Sequence, residues 1–256
     1  MKILFIVFFA LLYVVGTGMS FFPVYGHANP VTYDPSPNKV FDSSQSLPDK
    51  VTITFSEKPE VKASSIKVLN SNNERIDNND LKITDSDRTL SVSIDKSKIT
   101  QGIYTVNWAA LSKDDGHITK GSYVFSFDNK NTQQAQNSQI MSNVNSSTGY
   151  SKNFTTADNI VLKFNMIPFS VGQNNFTLGI SHVNGTAVEN IRNVFLEFNN
   201  PEKNLGPIAE TMDKVGAGNY SKSGSFISQE GNWQIKITVQ RIGEYDINQK
   251  LDIQVK

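Results

Sequence analysis

The chain has 256 residues, in which 24 lysines and arginines balance 24 aspartates and glutamates. Zero formal charge gives no electrostatic reason to expect nucleic acid or an anionic membrane surface as a partner. There is no cysteine, which excludes disulfides, zinc–thiolate sites, iron–sulfur clusters and thiol nucleophiles, so any metal must be held by nitrogen, oxygen or thioether sulfur.

The first element in chain order is a leader. Met1-Lys2 is a short positive start, and Ile3 to Val15 carry no polar group beyond the Tyr13 hydroxyl. Such a run is shorter than the ~20 apolar residues that span a bilayer and suits a signal peptide over 1–26. The small residues Val24 and Gly26 offer a cut that makes His27 the first residue of the exported protein. A competing small-x-small pattern, Gly26 and Ala28, would release Asn29 instead, and an uncleaved anchor is a third reading. In each case the chain works outside the cytoplasm, in a periplasm or at a cell surface.

Strands follow. Val51, Ile53 and Phe55 alternate with threonines, Leu90, Val92 and Ile94 with serines, and Tyr104, Val106 and Trp108 keep the same period of two. Residues 27–128 therefore read as an antiparallel β-sandwich. The stretch 129–152 is rich in Asn, Gln and Ser and poor in apolar residues, the composition of a flexible linker. Alternation returns at Leu162, Phe164 and Met166, continues through Phe176, Leu178 and Ile180, then Trp233 to Val239, and closes with Leu251, Ile253 and Val255. Asn184-Gly185 marks a tight hairpin turn between two such runs. The fold class expected is all-β: two antiparallel, Greek-key, immunoglobulin-like sandwiches, the second over 153–256.

Chemistry concentrates at His27 and at Asp115-Gly116-His117. An amino-terminal histidine offers its α-amine and imidazole Nδ1 as a chelate, and metal binding displaces their protons. Among divalent ions Cu(II) binds nitrogen most tightly and prefers a square-planar or tetragonal arrangement. Asp115 and His117 flank a glycine just after the strand carrying Trp108, and one carboxylate oxygen plus one imidazole would complete an N3O plane. The same three residues also suit a plain polar turn. Asp114 is read as solvated surface.

Those residues carry a resemblance. Residues 27 to about 127, with the N-terminal His27, "DPSP", "ITFSE" at 53–57 and "GIYTVNWAALSKDDGHITKGSYVFSF", resemble the CopC family of periplasmic copper-binding proteins. The resemblance implies a Greek-key sandwich and a Cu(II) site made by His27, Asp115 and His117, with Glu57 accepting a hydrogen bond nearby. It also implies copper as the bound partner, and a membrane copper transporter or another copper-handling protein as its donor or acceptor. Two features depart from the family pattern. This domain has no methionine after Met19, so a soft Cu(I) site is not expected, and Ile118 stands where proline commonly follows the motif histidine. Residues from about Asn153 resemble a YtkA-like β-sandwich through "PFSVGQNNFTLGI", "GAGNYSKSGSF" and "GNWQIKITV".

Met166, His182 and Met212 could together form a second copper site, since thioethers suit Cu(I). The bland alternative is two core methionines and a histidine at a strand end. The expected function is copper holding for sequestration, resistance or delivery, without enzymatic activity. The alternatives are a metal-independent surface interaction protein and a histidine-brace copper oxygenase.

Overall fold

A computed structural model describes residues 27–42, 44–84, 86–128 and 149–256. The expected signal peptide and residues 129–148 of the expected linker lie outside the described residues. The first half contributes β1 (Pro30–Asp34), β2 (Val40–Asp42), β3 (Lys50–Phe55), β4 (Ser65–Leu69), β5 (Lys82–Ile83), β6 (Thr89–Ser93), β7 (Gly102–Leu111) and β8 (Ile118–Asp128). The second half contributes β9 (Tyr150–Thr155), β10 (Ile160–Ile167), β11 (Gly172–His182), β12 (Ile191–Asn200), β13 (Leu205–Thr211), β14 (Asp213–Gly216), β15 (Asn219–Ile227), β16 (Gly231–Arg241) and β17 (Ile247–Val255). Tyr150 to Lys152, assigned above to the linker, already pair with β10 and belong to β9.

The period-two pattern produces the expected all-β sandwich. In the first half the sheet β1-β3-β6-β5 faces the strands β4-β7-β8, with β2 pairing in parallel to β8. Val51, Ile53 and Phe55 on β3 meet Tyr104, Val106 and Trp108 on β7 and Tyr123 and Phe125 on β8 in one core. In the second half the sheet β14-β15-β11-β10-β9 covers β17-β16-β12-β13. Its core centres on Phe176, Phe198 and Phe226, whose ring centroids lie 5.0 to 5.7 Å apart. Full burial of each such ring contributes about 1.5–3 kcal/mol.

The halves are not separate bodies on a tether. β13 pairs in parallel with β8 at Ile208 and Ser122, so one sheet runs β17-β16-β12-β13-β8-β7-β4 through both. Val124 points away from its own sandwich and packs into the second core. Beside it, the Thr105 hydroxyl donates to the Ser228 hydroxyl at 2.8 Å in a buried setting, and Asn38 donates to Glu210 at 3.0 Å. Gly206 is needed where its backbone N–H meets Ser122 Oγ. Its φ is 102°, and a Cβ there would stand 2.5 Å from the Phe198 carbonyl oxygen.

Asn184-Gly185 does form its tight turn, closed by Gly185 N–H to the His182 carbonyl at 2.9 Å and an isolated Ser181–Ala187 bridge. The following strand then crosses to the other sheet. β12 pairs with β13 and β16, whereas β11 pairs with β10 and β15.

Candidate metal centre

Two segments meet at one end of the first sandwich. The first, His27-Ala28-Asn29, leads into β1 and is pinned on three sides. Ala28 is fully buried in the core. The Ser56 hydroxyl donates to the His27 carbonyl at 3.0 Å and accepts the Asn29 N–H at 3.0 Å, while Thr119 Oγ1 donates to the Ala28 carbonyl at 2.5 Å. The His27 ring is thus held over the β7–β8 turn by backbone anchors. His27 has φ 100°, a conformation that costs a side-chain-bearing residue about 1–3 kcal/mol. That dihedral exists only while a residue precedes it.

The second segment is the turn 112–117 between β7 and β8. Ser112 N–H donates to the His117 carbonyl at 2.9 Å, and Gly116 N–H returns to the Ser112 carbonyl at 3.1 Å. Gly116 closes the turn with φ 73°. Inside it the Ser112 hydroxyl accepts from the backbone of Asp114 at 3.0 Å and Asp115 at 3.2 Å, and donates to Glu57 Oε2 at 2.5 Å. Glu57 therefore braces Ser112, which in turn sets the backbone of Asp115. The carboxylate of Asp114 points elsewhere, to the Lys58 N–H at 3.5 Å.

The result brings the three expected ligands together. His27 Nδ1 donates to Asp115 Oδ2 at 2.9 Å, and His117 Nδ1 stands 3.2 Å from the same oxygen. The ring centroids are 4.6 Å apart, and one ligand atom from each residue falls within 4.8 Å of the others. The side chains of His27 and His117 are 48% and 65% exposed, so an ion reaches them from solvent without any opening of the fold. The backbone N–H of His117, at 3.0 Å from Asp115 Oδ1, and then the His27 ring hold the Asp115 carboxyl well below the usual carboxylate range. The group thus stays an anion at any physiological pH. Two imidazoles and one fixed anion form a donor set that suits a nitrogen-seeking divalent cation.

The second candidate cluster does not form. Met166 lies opposite Phe176 on the β10–β11 ladder, whereas His182 lies opposite Ile160 at its other end, about 20 Å away at six residues of strand. Met166 and Met212 are buried in the second core, and His182 is exposed where β11 ends. Among the described residues, His27, Asp115 and His117 are the group placed to hold an ion. Sequence reasoning missed Ser56, Ser112 and Thr119. Their only signal was a hydroxyl one residue beyond a strand end or one residue inside a strand start.

The fold and the site together define a β-sandwich with a candidate metal site, formed by the chain entering its first strand and by a hairpin turn. Residues 31–128 match the CopC domain family, a span that contains Asp115 and His117 and begins just after His27. Protein YobA of Escherichia coli strain K12 is 32% identical over 103 residues, covering 40% of this chain and 80% of that protein. The chain belongs to the CopC domain family. Among solved structures, CopC from Methylosinus trichosporium OB3b is 27% identical, with 40% of this chain and 95% of that chain covered and a TM-score of 0.34. PcoC, a methionine-rich copper resistance protein from Escherichia coli, is 20% identical, with 40% and 99% covered and a TM-score of 0.34. Among the described residues no helix is long and apolar enough to cross a membrane.

Proposed function

We propose that the protein is an exported, non-enzymatic copper-binding protein that holds Cu(II) through His27, Asp115 and His117. The observation that carries this reading is the convergence of two imidazoles and one anchored carboxylate within 4.8 Å across 88 residues of sequence. Cleavage before His27 adds its α-amine, giving three nitrogens and one oxygen, the donor set and count that Cu(II) prefers. Cleavage also removes the φ of His27 and with it the strain of the unprocessed chain. Asp115 stands between both rings, which fills the fourth equatorial place and favours holding the ion over activating oxygen on it. The exposed position of both rings suits transfer to or from a membrane transporter or another copper-handling protein.

The test is a competition titration with Cu(II), followed by electron paramagnetic resonance, on protein beginning at His27 and on protein with one residue added before it. Expected are a dissociation constant well below 1 μM (about −8 kcal/mol), three equatorial nitrogens, and a loss of roughly two orders of magnitude in affinity with the added residue. Equal affinity in the two proteins would refute the amine. Binding no tighter than about 1 μM in both would refute the copper function.

A further inference from the structure

The junction of the two sandwiches forms a groove of about 840 Å³, distant in chemistry from the metal centre. One wall is the outer face of β4, β7 and β8. The other is the turn after β12, residues 201–204, held down where Asn107 Nδ2 donates to the Asn204 carbonyl at 3.2 Å. Register places Lys67 beside Asn107 and Lys120 beside Ala109, so both lysines stand on the same face, about 12 Å apart across β7. Lys203 leans in from the opposite wall.

The charge on this groove is uncompensated. Among the described residues, Lys67, Lys120 and Lys203 have no carboxylate within ion-pairing distance, in a protein whose total charge is zero. The one acidic side chain in the lining, Glu197, already has Lys236 at 4.0 Å and the Asn199 amide at 3.1 Å. Between the lysines the lining is amide-rich. Among the described residues, Asn73 and Asn204 make no side-chain bond, and Gln234 keeps its carbonyl oxygen unused. Trp108 lines the groove but is only 8% exposed, so it offers no face for stacking.

We propose that this groove binds an anionic oligosaccharide. Its acidic groups would meet the three ammonium groups, and its hydroxyls would meet the primary amides, each of which both donates and accepts. A neutral sugar would need the stacking platform that Trp108 does not supply. Acidic peptide motifs are met by clustered arginines, and no arginine is among the described residues that line this groove. The volume lies in the range of ligand sites, and a junction between domains is where such sites concentrate.

The experiment is calorimetric titration of the full chain with tetragalacturonate, cellotetraose and hexaglutamate. Tetragalacturonate is expected to bind, with affinity falling as salt rises from 50 to 500 mM (roughly from a 14 Å to a 4 Å screening length). The Lys120→Gln/Lys203→Gln double variant should bind it about tenfold more weakly while keeping wild-type Cu(II) affinity and unfolding midpoint. No binding at millimolar tetragalacturonate, equal binding by the double variant, or equal binding of cellotetraose or hexaglutamate would each overturn the proposal.

Discussion

Ser112→Ala isolates how the 112–117 turn is held, because Ser112 is 1% exposed and bonds to neither imidazole. The hydroxyl makes three bonds. The one it donates to Glu57 is charge-assisted and worth about 1.5–3 kcal/mol; Glu57 is only partly buried, so the lower end applies. The two it accepts come from N–H groups on an exposed turn, and water replaces them at little net cost. The loss is therefore about 1.5–2 kcal/mol, and all of it falls on the order of the turn that carries Asp115 and His117. In binding terms that is about tenfold to thirtyfold weaker Cu(II), within the 10–100-fold range for residues that orient metal ligands. The assay is competition against a coloured Cu(II) chelator, with paramagnetic resonance to show that the ligand set is unchanged and urea unfolding to show that the sandwich persists. Ser112→Thr, which keeps the hydroxyl, should recover most of the affinity. If Ser112→Ala binds Cu(II) within twofold of the parent protein, the turn is held by its backbone bonds alone and the chain from Glu57 through Ser112 to Asp115 carries no weight.

Three further outcomes follow from the same geometry. The Asp115 carboxyl has a lowered pKa in the folded state, so its contribution to stability is fully present above the ordinary carboxylate range near pH 4. It is lost as pH falls through the lowered value; the stability gap between the metal-free parent and Asp115→Asn, measured by urea unfolding, should still be present at pH 5 and close in strong acid. Val124→Ala removes two methylene equivalents from the second core although Val124 belongs to the first sandwich, and should cost about 2 kcal/mol in the unfolding of residues 149–256, followed through Trp233. Ser228→Ala leaves the buried Thr105 hydroxyl without its partner and should destabilise the junction by about 1–3 kcal/mol, seen as faster hydrogen exchange along β8 and β13 with the metal site intact.

What could be read in the sequence divides along physical lines. Strands such as β3, β7 and β16 were legible because one-sided burial leaves a period of two in the choice of residue, whatever the partner strand is. That His27, Asp115 and His117 come together was legible because a histidine at an expected cleavage point and an Asp-x-His turn are rare in a chain with three histidines, and the family pattern joins them. His182 failed for a definable reason: its parity was carried one residue past the point where the opposite sheet covers β11, so the same alternation that buries Ile180 leaves His182 in water. Met166 obeyed the parity and, for that reason, is an ordinary core side chain.

The junction left almost no trace, because it is made from the faces that alternation assigns to solvent. Thr105 and Ser122 are suitable residues for an exposed strand face, and a single outward valine at 124 is unremarkable in any sheet. They are buried only because β13 adds to the edge of β8, a pairing between residues more than eighty apart that no local pattern encodes. The hydroxyls that pin His27 are illegible for a related reason. Serine and threonine satisfy local turn backbones throughout such chains, and only the arrival of the amino-terminal segment at Ser56 and Thr119 turns that common chemistry into a clamp. Site geometry here depends on long-range closure of the sandwich. A metal affinity sensitive to Ser112 and indifferent to the junction would therefore locate the control of copper binding within the first sandwich.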